Sequence, residues 1–153
     1  MKRKLVAATV VASVGAAWLV TAVAQVKPEI LVKQRQAAMT LQGKYLGPIG
    51  GMLKGTVPYN PEIVARNASY LEVLTKMAWD GFDPSTKNEK NTKAKPEIYS
   101  QPEKFKAAYE TLQAEVAKLA AAAKARDQDA VKATFGNVAK ACNDCHDNFR
   151  EKQ

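Results

Sequence analysis

Cys142, Cys145 and His146 are all the thiol and imidazole groups this chain has, and they fall within the five residues Cys142-Asn143-Asp144-Cys145-His146. A Cys-x-x-Cys-His spacing is that of covalent c-type haem attachment. Two thiols must add to the two vinyl groups on one edge of a porphyrin, while the neighbouring imidazole reaches the iron from one face. On a helix, positions 142, 145 and 146 lie on one face, so this chemistry needs no unwinding. A structural or redox disulfide is the competing reading. A thioredoxin-like pair needs a βαβ context, and a staple between residues three apart closes too short a loop to stabilise much. Zinc needs further ligands, and there is no second His or Cys pair to supply them. The motif therefore predicts one covalently attached haem c, with His146 as an axial ligand of its iron.

The elements that must position the motif read as helices. In Lys27–Leu53 the residues Ala38, Leu41, Tyr45, Ile49 and Met52 draw one apolar stripe, with Gly47-Pro48 as a kink site. A second helix starts with Asn60 as N-cap and Pro61 at its first position, and turns Val64, Asn67, Leu71, Leu74 and Ala78 one way. It ends near Trp79-Asp80-Gly81. From Asp80 to Lys95 the period is lost and Gly, Pro, Ser, Asn and Lys gather, which predicts a long connection. Its lysines Lys87, Lys90, Lys93 and Lys95 fit a solvated loop better than a partner-docking surface. Ser100-Gln101-Pro102-Glu103 has the capping-box spacing, and the helix behind it points Phe105, Ala108, Leu112, Val116, Leu119 and Ala123 inward. Asp127 caps the last helix, where Val131, Phe135, Val138, Cys142, Cys145 and Phe149 keep a heptad-like rhythm and put both cysteines on the buried face. No strand-period segment interrupts this order. The prediction is an all-α protein, an antiparallel four-helix bundle with the haem held between its helices.

A chain of 153 residues, 46% apolar and 25% charged, predicts one compact domain, neither a disordered tail nor a multidomain enzyme. Lys2, Arg3 and Lys4, then the apolar Leu5–Val20, then Ala22-Val23-Ala24 make the three regions of a signal peptide. The expected organisation is a signal peptide over 1–24 and the cytochrome domain over 25–153. An uncleaved anchor is the rival, because Leu5–Val26 is free of charge; both export the domain, and no second segment suits a membrane. The formal charge is +8, of which the leader holds the three charges of Lys2, Arg3 and Lys4. The domain itself lacks the basic stripe interleaved with aromatics that nucleic-acid binding needs.

Only Asp147–Gln153 follow His146, so a sixth iron ligand must come from another helix or the position stays open. The sequence resembles the cytochrome c′ family, class II c-type cytochromes, over Lys27–Lys152. The likeness rests on Lys27-Pro28-Glu29, Lys33-Gln34-Arg35-Gln36, Pro58-Tyr59, Trp79-x-x-Phe82, Lys95-Pro96-Glu97-Ile98-Tyr99, and the haem motif followed by Phe149-Arg150 at the C-terminal end of four helices. The resemblance implies a homodimer through the first two helices and pentacoordinate iron on His146. It matches Arg35 and Gln36 to residues that meet the haem propionates, Met39 to the distal residue over the iron, Trp79 and Phe82 to pocket aromatics, and Arg150 to the basic residue beside the proximal imidazole. Each has a plainer reading: Arg35 as a surface charge, Met39, Trp79 and Phe82 as core, Arg150 as complement to a helix C-terminus.

The function that follows is a haem protein of the Gram-negative periplasm that binds NO and CO and exchanges electrons with redox partner proteins. The alternative is a low-spin electron carrier with Met39 as sixth ligand. Enzymatic turnover is not expected, because a peroxidase needs a distal acid–base pair and the chain has no second His.

Overall fold

The computed structural model describes residues 25–152, so the signal-peptide reading of 1–24 lies outside the described residues. Four long helices, α1 (Pro28–Leu53), α2 (Pro61–Met77), α4 (Pro102–Lys124) and α5 (Gln128–Phe149), form the bundle, with a short α3 (Glu97–Ser100) in the crossover between its halves. Two 3₁₀ turns, Trp79–Phe82 and Pro84–Asn88, precede α3 in that crossover. No helix among the described residues is long and apolar enough to cross a membrane.

Helix starts follow their capping chemistry. Asn60 Oδ1 accepts from Ile63 N at 2.9 Å and Asp127 Oδ1 from Ala130 N at 2.9 Å, each satisfying one of the amides a helix N-terminus leaves free. The expected capping box at Ser100 does not form. Ser100 is itself helical, its N–H donating to Pro96 O at 3.1 Å, whereas an N-cap needs extended backbone. Gln101 takes that place before α4 without a side-chain bond. Helix α1 runs through Pro48 to Leu53. It closes with Gly55 at φ +72, Thr56 N donating to Gly51 O at 3.0 Å and Gly55 N to Met52 O at 3.1 Å.

Three seams of the bundle are well packed, α1 on α2, α2 on α4 and α4 on α5; between α1 and α5 few backbone positions come close. The main core joins Ile49 and Met52 of α1, Val64, Ala68 and Leu71 of α2, Leu112, Val116 and Leu119 of α4, and Val131 and Val138 of α5. Helices α1 and α5 come close at Gly50, where a Cβ would stand 2.9 Å from the Phe135 ring.

The α1 stripe differs from the expected one. Leu41 is 37% exposed, while Arg35 and Gln42 are buried. Polar side chains can occupy these inward positions because acceptors meet them there: Gln42 Nε2 donates to Leu74 O at 3.2 Å, and Arg35 is received by the crossover.

The Asp80–Lys95 connection is also more ordered than its composition suggests. Lys95 N donates to Phe149 O at 3.0 Å and Glu151 N to Lys93 O at 2.8 Å, a two-rung antiparallel bridge that ties the crossover to the end of α5. Lys95 Nζ donates to Asp147 O at 2.9 Å, so this lysine caps the helix that carries the haem motif. Lys87, Lys90 and Lys93 are exposed to solvent as expected.

Candidate haem site

The last turns of α5 bring Cys142, Cys145 and His146 onto one face. All three are half-buried, less enclosed than the expected core-facing cysteines. Cys142 packs against the main core and Cys145 against a second cluster built on Ile98, Phe105 and Phe149. The two thiols therefore stand at the junction of two apolar clusters.

Burial sets their acid–base chemistry. It raises the Cys142 thiol above its ordinary value and, with Cys142 nearby, pushes Cys145 up to about 11, so both are protonated near neutral pH. Burial also lowers His146, the Arg150 guanidinium lowers it further, and Asp147 opposes both. The imidazole is thus biased to the neutral form that metal ligation requires. Arg150 is exposed and its backbone N–H donates to the His146 backbone carbonyl at 3.0 Å, which closes α5, while its guanidinium is near enough to bear on the imidazole through its charge.

The second cluster supplies an aromatic wall. Trp79 stacks on Tyr109 at 4.2 Å between ring centroids and on Phe82 at 5.7 Å, and Phe105 meets Phe149 edge-on at 5.1 Å. A cavity of about 590 Å³ is lined by Trp79, Phe82, Ile98, Tyr99, Phe105 and Tyr109 among others.

Arg35 enters from α1 at 2% exposure. Its Nη1 donates to Gly81 O at 2.7 Å and Thr86 Oγ1 at 3.1 Å, its Nη2 to Thr92 Oγ1 at 2.9 Å, and its guanidinium lies 4.4 Å from the centre of the Phe82 ring. Every one of these partners is neutral. No ion pair to Arg35 exists among the described residues. Gly81 permits the approach, since a Cβ there would stand 2.6 Å from Arg35 Cβ and 2.7 Å from Leu31 O. Gln36 is exposed and donates to Asn91 O at 2.8 Å, on the crossover and not inside the cavity. Met39, half-buried, follows Arg35 by one turn on the same side of α1.

These features fit a flat apolar macrocycle that carries carboxylates. Aromatic rings offer faces for it, Arg35 is a buried cation lacking a counter-anion, and Trp79 Nε1 is a buried donor with no acceptor. Among the described residues no cluster of His, Cys, Asp and Glu could hold a bare metal ion, which leaves the zinc alternative without a site. The structure joins Arg35, Trp79, Phe82 and Cys145 in one region through direct contacts and shared packing. The sequence pattern places Phe105 simply in the core, and it assigns no site role to Tyr109, Thr86, Thr92 or Tyr99. The only signal among them is Tyr99, inside the Lys95–Tyr99 segment.

Comparison with known proteins decides the family. A family profile described as Cytochrome C′ matches residues 31–150. The chain belongs to the cytochrome c′ family. Cytochrome c′ of Alcaligenes xylosoxydans is 38% identical over 127 residues, which cover 83% of this chain and 98% of that one. The structure of cytochrome c′ from Rubrivivax gelatinosus superposes with a TM-score of 0.79 at 36% identity, covering 82% of this chain and 98% of that one. A nitric oxide complex of a cytochrome c′ variant from Alcaligenes xylosoxidans gives 0.78 at 37% identity, over 84% and 99% of the two chains. Cytochromes c′ bind c-type haem covalently, so haem is the cofactor of this chain.

Proposed function

We propose that this cytochrome is an exported, periplasmic haem protein that binds nitric oxide and carbon monoxide at an open iron position and exchanges electrons with redox partner proteins. Cys142 and Cys145 tether the macrocycle and His146 ligates the iron. The observation that carries this reading is the placing of the two thiols at the junction of two apolar clusters, beside an aromatic cavity and a buried, unneutralised Arg35.

When bound, the haem supplies an iron centre for diatomic ligation and one-electron exchange. The chain's own residues set the conditions. His146 offers a neutral imidazole, and Arg150 beside it keeps it so. Arg35 presents a cation to a propionate, and Trp79 Nε1 is a second donor free for a polar group. The aromatic wall of Trp79, Phe82 and Phe105 excludes water. Met39, half-buried one turn after Arg35 on the same side of α1, would offer a diatomic ligand an apolar thioether and no hydrogen-bond donor, which suits NO and CO better than oxygen. Gln36 contributes from the rim. With no second His the chain offers no distal imidazole for an acid–base pair, which argues for ligand binding and electron exchange over peroxidase turnover.

The nitric oxide complex of a relative supports the choice of ligand. The test is an optical titration of the reduced holoprotein. Adding NO or CO shifts the Soret band if the position is open, and Met39→Leu leaves the resting spectrum unchanged. A low-spin ferrous spectrum that resists CO, and is lost in Met39→Ala, would instead establish Met39 as the sixth ligand.

Exposed apolar side chains on the outer face of the first two long helices, Leu41 on α1 and Tyr70, Val73 and Met77 on α2, support a homodimer through α1 and α2.

A further inference from the structure

Arg35 is not held by the helix it grows from. All its hydrogen-bond acceptors lie between residues 81 and 99, in the crossover. Two of them, Thr86 and Tyr99, also bind each other, at 2.7 Å between hydroxyl oxygens. The proton order in this group follows from its geometry. Thr86 Oγ1 donates to Asp83 O at 2.7 Å, which uses its only hydrogen. Tyr99 must then be the donor toward Thr86. The Thr86 oxygen accepts from Tyr99 on one lone pair and from Arg35 Nη1 on the other, so it has no capacity left and no freedom to rotate.

Thr86 is 1% exposed, although a threonine in a surface 3₁₀ turn would ordinarily face water. The turn is fastened so that it cannot. Asp83 Oδ1 accepts from Ser85 N at 2.8 Å, Asp83 O accepts from Thr86 N at 2.9 Å, and Thr86 O accepts from Glu89 N at 3.2 Å. Tyr99 comes from α3, the short helix that replaces the expected capping box. Thr92 holds Nη2 from a third point. What remains of the guanidinium is one N–H on Nε and one on Nη2, neither with an acceptor among the described residues. Uncommitted N–H groups of a guanidinium suit a carboxylate oxygen.

We propose that Thr86 and Tyr99 are positioning residues: they lock the Arg35 guanidinium so that its free N–H groups face a haem carboxylate, and through Arg35 they set the reduction potential of the haem. The proposal rests on the reading that Arg35 meets a propionate. A fixed cation at the haem edge disfavours the more positive ferric state and so raises the potential. A cation released to rotate toward water does so less, because solvent screens it.

The experiment measures the potential of the holoprotein in Arg35→Gln, Tyr99→Phe, Thr86→Val and Thr86→Ser, and in the double variant Arg35→Gln with Tyr99→Phe, with circular dichroism as the check on folding. Arg35→Gln lowers the potential. Tyr99→Phe and Thr86→Val lower it by a smaller amount of the same sign, and Thr86→Ser, which keeps the hydroxyl, restores the parent value. Tyr99→Phe adds no further shift once Arg35 is Gln, because its effect passes through the guanidinium. If Arg35→Gln shifts the potential while Tyr99→Phe and Thr86→Val leave it unchanged, or if the Tyr99→Phe shift persists in the double variant, the proposal is overturned and the propionate reading stands. If Arg35→Gln itself leaves the potential unchanged, the propionate reading falls and takes the proposal with it. Should Thr86→Val not fold, Tyr99→Phe and the double variant decide by themselves, since Tyr99→Phe keeps the aromatic ring and loses only the hydroxyl.

Discussion

Gly81 is the residue on which the geometry around Arg35 turns. It sits in the first 3₁₀ turn, buried, with its carbonyl accepting from Arg35 and its Cα against the α1 backbone. A methyl group there meets Leu31 O and Arg35 Cβ at distances no side-chain motion relieves, because one is backbone and the other is the first atom of its side chain. Gly81→Ala therefore costs about 2 kcal/mol, in the range of overpacked sites, and a urea melt of the holoprotein measures it. An unchanged midpoint would mean that α1 and the crossover slide apart freely. At this scale the haem motif was fully legible, because thiols and imidazole occur nowhere else in the chain. The holders of Arg35 were not. Thr86 and Tyr99 stand 51 and 64 residues from it, and no local pattern distinguishes a threonine that binds a guanidinium from one that faces solvent.

Helix ends carry the second scale. Helix α4 stops with Arg126 at φ 57, in the left-handed region that favours glycine, with Asp127 N donating to Ala122 O at 3.2 Å and Arg126 N to Ala123 O at 3.1 Å. The side chain reaches Glu62 at 3.1 Å, but both partners are exposed and such a pair is worth little. Arg126→Gly relieves the backbone strain and raises stability by about 1 kcal/mol, read as a higher thermal midpoint. The crossover turn has its own pH dependence. Bonding to Ser85 holds the Asp83 carboxyl below its ordinary value of 3.8. A folded value lowered in this way contributes stability above the ordinary one and loses it as pH falls through the folded one. Protection of the Ser85 amide, measured against its intrinsic exchange rate, should accordingly fall below about pH 4, and Asp83→Asn should remove that dependence. The capping residues Asn60 and Asp127 were legible because a cap is decided within four residues. Ser100 misled because the preceding Pro96 starts a helical turn of its own, which takes Ser100 out of the extended conformation a cap needs.

At the scale of the whole molecule, the outer face of α2 is the surface a second copy would cover. Val73 and Met77 are 57% and 59% exposed, and with Tyr70 they repeat at helical spacing. Replacing both Val73 and Met77 with lysine should halve the mass seen by light scattering while leaving the haem spectrum as it was. A parent protein that is already monomeric at high concentration would remove the dimer from the account. The bundle's order was readable in advance, since four amphipathic periods with one long connection admit few packings. Its asymmetry was not: three seams close and the fourth, between α1 and α5, stays sparse, with Gly50 admitting the Phe135 ring.

The amino-acid order alone determined the cofactor and the way it is attached, the helical class, and most inward-facing positions, because these depend on residue type and on spacings of three to five residues. Tertiary structure decided the rest. It made Arg35 and Gln42 interior and Leu41 exterior, split the apolar residues into a core and an aromatic wall, and turned a lysine-rich connection into the clamp on a buried guanidinium. The physical reason is that a polar side chain enters the interior only where acceptors await it, and here those acceptors are contributed by segments distant in sequence.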